Sequence, residues 1–305
     1  MNAHRPELRK ARKGVLVALL ILLLASIPLG VVLSAHGTKT SQRGSPPQTT
    51  RSTSSSFLPN FFASLSKRLI AKPPRPAYPS SEAIENARRW LEERAGRTSF
   101  AVVDSRGNLH GLDLHEHFQT ASVVKVMMLV AYLQMLNAKH RQLSSADTAL
   151  LYPMIHISDN DAASAVLSIV GGAALRRVAN EAGMVDYTPG VGWWAYTQTS
   201  AADQAHFFFA LNRLIPSQFC GYARGLLSGI EPSQSWGVPP VARPRWHVFF
   251  KTGALPSEGL FNEAARLERP GTTFTIAVFT SGDPSIDYGE QTIQGVAASL
   301  LTRAP

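Results

Sequence analysis

A serine and a lysine three positions apart, Ser122 and Lys125, open a long apolar run over residues 126–133. A run that is hydrophobic on nearly every side reads as the buried central helix of a domain. Residues three apart share one face of a helix, so the two side chains meet near its N-terminus, where backbone N–H groups are free and the dipole favours negative charge. A serine hydroxyl becomes a nucleophile when a base takes its proton, and a lysine stripped of water can be that base. The spacing taken alone also fits an ordinary helix start.

Two further strings bear on the choice. Ser158-Asp159-Asn160 precedes a helical pattern over residues 161–167, and Lys251-Thr252-Gly253 follows a strand-like run over residues 246–250. Each has a plainer reading: Ser, Asp and Asn are preferred helix N-caps, and a glycine after a strand starts a turn. In this order, with these surroundings, the three strings form the signature of the active-site serine β-lactamases and penicillin-binding proteins. Over residues 80–304 the chain resembles the class A β-lactamase and D-alanyl-D-alanine peptidase superfamily, the penicillin-recognising serine hydrolases.

The resemblance implies roles for matching positions. Ser122 would attack a carbonyl and form an acyl-enzyme. Lys125 would take its proton, or orient a water that does, and Ser158 would relay it to the leaving nitrogen. Asn160 would hydrogen-bond the substrate amide or Lys125. Lys251 and Thr252 would bind a substrate carboxylate, Gly253 would let substrate backbone lie against the strand, and the N–H groups of Ser122 and Ala254 would form the oxyanion hole. No metal or cofactor is expected. The expected partner is a small β-lactam or a peptidoglycan stem peptide.

The chain departs from the family pattern in three places. The loop that in class A enzymes carries a water-activating glutamate corresponds here to residues 186–200, which contain no glutamate. Glu181 lies close by but reads as a solvated helix residue, and Tyr196 and Gln198 could position a water by hydrogen bonding but neither is a base at neutral pH. Ser122 and Ser158 are 36 positions apart, shorter than is typical, so the cleft is expected to be more open. Ser257-Glu258 stands where many relatives carry an arginine. Acylation therefore looks equipped and deacylation does not; losing the deacylating base costs about 10²–10⁴ in that step. The expectation is a hydrolase of β-lactamase type with slow turnover. The alternatives are a D-alanyl-D-alanine peptidase, a non-catalytic cell-wall or partner-binding module on the same fold, and a membrane-tethered structural protein with chance motifs.

These residues need a scaffold. Residues 82–94 read as a helix stopped by Gly96, residues 98–104 and 109–114 as a hairpin, and everything from Ser122 to about residue 227 as mostly helical. Strands resume over residues 246–252, 259–267 and 272–280, and a helix over residues 286–302 ends the chain. Two strands early and three late predict an α+β fold: a five-stranded antiparallel sheet flanked by helices, with an all-helical subdomain inserted.

The net charge of +9 is unevenly placed. Residues 1–80 carry 12 Lys/Arg against one acid, Glu7, whereas residues 81–305 carry 18 Lys/Arg against 20 Asp/Glu, a net of −2. The basicity belongs to the N-terminal arm, which excludes a nucleic-acid-binding core. Residues 1–13 read as a basic cytoplasmic segment and residues 14–35 as a transmembrane anchor, with a cleaved signal sequence and secretion as the alternative. Residues 36–79 have the Ser/Thr/Pro/Gly composition of a flexible linker; within it, residues 61–72 have the pattern of a membrane-surface helix, or of one packed on the domain. The domain proper spans residues 80–305 and would lie outside the cytoplasm. The single cysteine, Cys220, reads as a small buried hydrophobe, and His110, His115 and His117 as turn and surface residues.

Overall fold

The computed structural model describes residues 76–301. The expected anchor and all but the last four residues of the expected linker lie outside them; Tyr78, within those four, is buried in the domain core. The described chain opens with α1 (Ser81–Glu92), capped by Ser80, whose hydroxyl accepts from Ala83 N at 3.2 Å. The hairpin β1 (Arg97–Val103) and β2 (Leu109–Leu112) follows, then the short β3 (Phe118–Gln119). The helical part comprises α2 (Lys125–Ala138), α3 (Ser145–His156), α4 (Asn160–Val170), α5 (Gly172–Ala182), α6 (Ala201–Leu214), α7 (Cys220–Ser228) and the short α8 (Val238–Ala242). It is interrupted only by β4 (Gln198–Thr199), which pairs with β3. Three long strands, β5 (His247–Leu255), β6 (Leu260–Arg269) and β7 (Thr272–Ser281), precede α9 (Ile286–Leu301).

The five main strands form one antiparallel sheet in the order β2-β1-β7-β6-β5. The predicted pairing of the two chain ends is therefore present: β1 lies directly against β7. α6 packs on one face, where Thr275 Oγ1 donates to Ala205 O at 2.8 Å, and α1, α8 and α9 cover the other. With helices on both faces, β1, β6 and β7 are buried almost continuously rather than on alternate residues.

α2 is the core helix of the helical part. Residues 126–133 have exposures from 0 to 4% because helices and the sheet edge surround them. The stretch Ala121–Ala138 is apolar enough to cross a bilayer, at a mean hydropathy of 1.5, yet 72% of it is buried within this fold. Cys220 is half-buried, packed against the core at the start of α7.

Candidate active site

Ser122 does not sit on the α-helix. It lies on a 3₁₀ turn, Ala121–Val124, that feeds into α2 at Lys125. A 3₁₀ turn has three residues per turn, so positions three apart eclipse one another, and Ser122 and Lys125 keep a common side. Ala121 just ahead is at φ +45, a left-handed conformation that costs an ordinary L-residue of order 1–3 kcal/mol. The turn survives because its N-terminal flank is tied twice. Thr120 N donates to Thr197 O at 2.7 Å, and Asn262 Nδ2 on β6 donates to Gln119 O at 2.8 Å.

Lys125 is fully buried. Its ammonium donates to Ser158 O at 2.5 Å, Ser158 Oγ at 3.0 Å and Asn160 Oδ1 at 2.9 Å, and lies 4.8 Å from the centre of the Trp194 ring. No hydrogen bond joins it to the Ser122 hydroxyl among the described residues, so the ammonium is committed to the second motif. Burial lowers its pKa to about 7, against the opposing pull of the Asp159 carboxylate.

Within Ser158-Asp159-Asn160 the work is divided. Asp159 is the N-cap of α4, accepting from Ala162 N at 2.7 Å, and this frees its two neighbours to face Lys125. Ser158 is at φ +58, a second strained position next to the site. Asp159 fits the cap reading, while Ser158 and Asn160 both accept from Lys125.

Lys251 and Thr252 lie on the edge strand β5. Gly253 does not start a turn; the strand continues through Leu255, and the turn follows at Pro256–Glu258, where Ser257 and Glu258 are exposed. A strand alternates its faces, so Lys251 and Gly253 look toward the Ser122 turn, and Thr252 looks toward the α8/α9 side. A Cβ on Gly253 would stand 2.8 Å from both Ser122 N and Thr120 O. Only glycine allows the strand to run that close to the Ser122 turn. Ala254, half-buried, follows on the same strand opposite Phe261. Lys251 is fully buried and donates to Thr252 O at 3.0 Å and Gln234 Oε1 at 3.4 Å. Burial first, then repulsion from the nearby Lys125 charge, brings it to about 7. The two amines titrate as a pair.

Three residues near the site carry no signal in the sequence analysis. Gln234 bridges the second and third motifs: its carbonyl accepts from Thr252 Oγ1 at 3.2 Å, and its amide donates to Ile157 O at 2.7 Å. Glu263 lies opposite Thr252 on β6, fully buried, accepting from Val238 N at 3.0 Å. Burial raises its pKa well above the usual carboxylate value, and where it ionises its charge favours the protonated form of Lys251. Trp194 is the loop residue that reaches Lys125. Gln198 instead pairs in the β3–β4 ribbon and donates to Tyr196 O at 3.2 Å, and Tyr196 stands edge-on to Trp193. Glu181 is exposed and accepts from Gln134 Nε2 at 2.8 Å. His115 and His117 face the Asp186 carboxylate at 2.7 and 3.6 Å, at the root of the loop, and His110 meets Asp104 at 3.1 Å.

The arrangement is a buried lysine hydrogen-bonded to a half-buried serine and an exposed asparagine, behind a serine turn and facing an edge strand that carries a second lysine. The fold that positions it is that of the penicillin-recognising serine enzymes. A β-lactamase from Sphaerobacter thermophilus is 22% identical, with 72% of this chain and 95% of that chain covered at a TM-score of 0.63. A class A β-lactamase from Bacteroides cellulosilyticus is 15% identical, with 74% and 98% covered at 0.65. PBP-A is 14% identical, with 75% and 97% covered at 0.63. At these identities the likeness is one of fold. A search of curated proteins finds no match. The model of the Beta-lactamase enzyme family matches residues 144–304, just over half of the chain and inclusive of the second and third motifs, and the chain belongs to that family.

Proposed function

We propose that the protein is an active-site serine hydrolase that forms an acyl-enzyme through Ser122 with β-lactams or peptidyl amides and releases the acyl group slowly. One observation carries this reading: a fully buried lysine amine, pKa about 7, sits 3.0 Å from the Ser158 hydroxyl and one 3₁₀ turn from Ser122. An uncompensated buried amine costs stability, and chemistry is the reason to keep it.

In the proposed reaction a substrate carboxylate docks at Lys251, and the Thr252 hydroxyl leaves Gln234 O to meet it. That negative charge holds the proton on Lys251, and the retained positive charge favours loss of the proton from Lys125. The Ser122 hydroxyl gives its proton to the Lys125 amine as its oxygen bonds to the carbonyl carbon. The developing oxyanion is met by the N–H groups of Ser122 and Ala254, each worth about 3 kcal/mol in such sites. The carbon–nitrogen bond then breaks, and the proton passes from Lys125 through Ser158 to the leaving nitrogen. Asn160 holds Lys125 and is placed to meet the substrate amide. Hydrolysis of the ester needs an activated water, and residues 186–200 supply no glutamate for it. The same chemistry describes a D-alanyl-D-alanine peptidase, which is the second reading. The apolar residues 14–33 behind a basic flank support a single-pass anchor with the catalytic domain outside the cytoplasm.

A fluorescent penicillin tests the proposal. The wild type should take a covalent label that is absent in Ser122→Ala, and the label should decay over minutes or longer. A folded wild type that takes no label supports a non-catalytic binding module instead.

A further inference from the structure

The loop between α5 and α6 is pinned at both ends. At its start the Asp203 carboxylate accepts from Val185 N at 2.8 Å and Asp186 N at 2.9 Å, and His115 holds Asp186. At its far end Thr197 O accepts from Thr120 N, two residues before Ser122, at 2.7 Å. Inside, Thr197 Oγ1 donates to Trp194 O at 2.7 Å. A Cβ on Gly190 would fall 2.4 Å from Trp193 O and 2.7 Å from Thr197 N, so the loop is folded back on itself. This rigid frame delivers the Trp194 ring to Lys125.

The indole is fixed in turn. Its N–H donates to Ser164 Oγ on α4 at 3.1 Å, Trp193 leans on it at 5.3 Å, and only 7% of Trp194 is exposed. An ammonium has three N–H donors. Those of Lys125 are taken by Ser158 O, Ser158 Oγ and Asn160 Oδ1, and the Trp194 ring lies 4.8 Å from the nitrogen. The Trp194 ring covers that side of Lys125.

We infer that Trp194 decides how the acyl-enzyme is resolved: its indole closes the approach to Lys125 from the loop side and keeps the Ser122 ester from bulk water. The inference rests on the acyl-serine reading. It goes further than an absent glutamate, because it assigns slow release to a residue that is present. Hydrolysis requires a water oxygen to bond to the ester carbon while the bond to Ser122 Oγ breaks, with the water's proton returned to that oxygen. Excluding the water stops this step and leaves acylation, which needs none, intact.

The test follows formation and loss of a fluorescent penicillin label on the full chain, in wild type, Trp194→Phe, Trp194→Ala and Trp194→Glu. Loss should quicken in that order: slightly for Phe, on the order of tenfold for Ala, and about 10²-fold for Glu, which adds a base where water now enters. A merely structural role would slow acylation and lower the thermal midpoint, but would not speed release. Unchanged or slower loss in whichever variants still acylate overturns the inference. So does failure of all three to acylate beside a labelled wild type, since Trp194 would then serve acylation itself. A wild type that takes no label refutes the acyl-serine reading, a separate result.

Discussion

Lys125→Met removes an amine that burial holds at a pKa of about 7 against an ordinary 10.5. The difference is about 3.5 pH units at about 1.4 kcal/mol each, so below pH 7 this lysine withholds about 5 kcal/mol from the folded state. The sign follows from proton counting. Between pH 7 and 10.5 the unfolded chain binds a proton that the folded chain lacks, so wild-type stability rises with pH across that window. The methionine forfeits hydrogen bonds to Ser158 and Asn160, about 1 kcal/mol each. At pH 6 the variant should therefore be the more stable by about 2 kcal/mol, raising its thermal midpoint by several degrees. By pH 10 the order should reverse. Urea unfolding of both proteins from pH 6 to 10 reads this directly. Penicillin labelling of the wild type gives an independent reading of the same titration, falling about tenfold per unit below pH 7 as Lys125 keeps its proton. A stability difference that does not vary with pH, together with labelling that is flat from pH 5.5 to 9, would refute the idea that a displaced lysine is the base.

Two further substitutions probe the sheet side of the site. Gly253→Ala puts a methyl group 2.8 Å from two backbone atoms of the nucleophile turn, and labelling should fall about 10²-fold, since small displacements of reacting groups cost that much; labelling at the wild-type rate would mean that strand and turn separate freely. Glu263→Gln should match the wild type near pH 4.5 and be the more stable of the two at pH 7, because burial raises the carboxyl pKa while the amide still accepts from Val238 N. Glu263→Ala should cost about 2–3 kcal/mol for the void and the unpaired N–H. Denaturant unfolding that finds the Gln variant as damaged as the Ala variant would show that the native carboxyl is charged. A raised carboxyl pKa also means that wild type loses stability relative to Gln as pH rises above about 4.5.

Local pattern carries much of this protein. The run after Lys125 is apolar on all sides, and no arrangement but burial accommodates it; strand and helix periods elsewhere place the elements to within a few residues, with β1 beside β7. The resemblance to a known three-string signature singles out Ser122, Lys125, Ser158, Asn160 and the Lys251–Gly253 string; the spacing of each alone also fits a helix start, a cap or a strand end. Two local details are decided by packing: the Ser122–Lys125 step is a 3₁₀ turn, and β5 runs past Gly253 because that residue must slide against Ser122 N. Gln234, Glu263 and Trp194 lie 76, 105 and 36 residues from Ser158, and nothing in a polar loop residue, a glutamate between an asparagine and an alanine, or one tryptophan of a pair marks what it will meet. Their roles arise only when distant segments are brought within a few ångströms. Desolvation, which sets the protonation of Lys125, Lys251 and Glu263, belongs to the surroundings a side chain is given and not to its type.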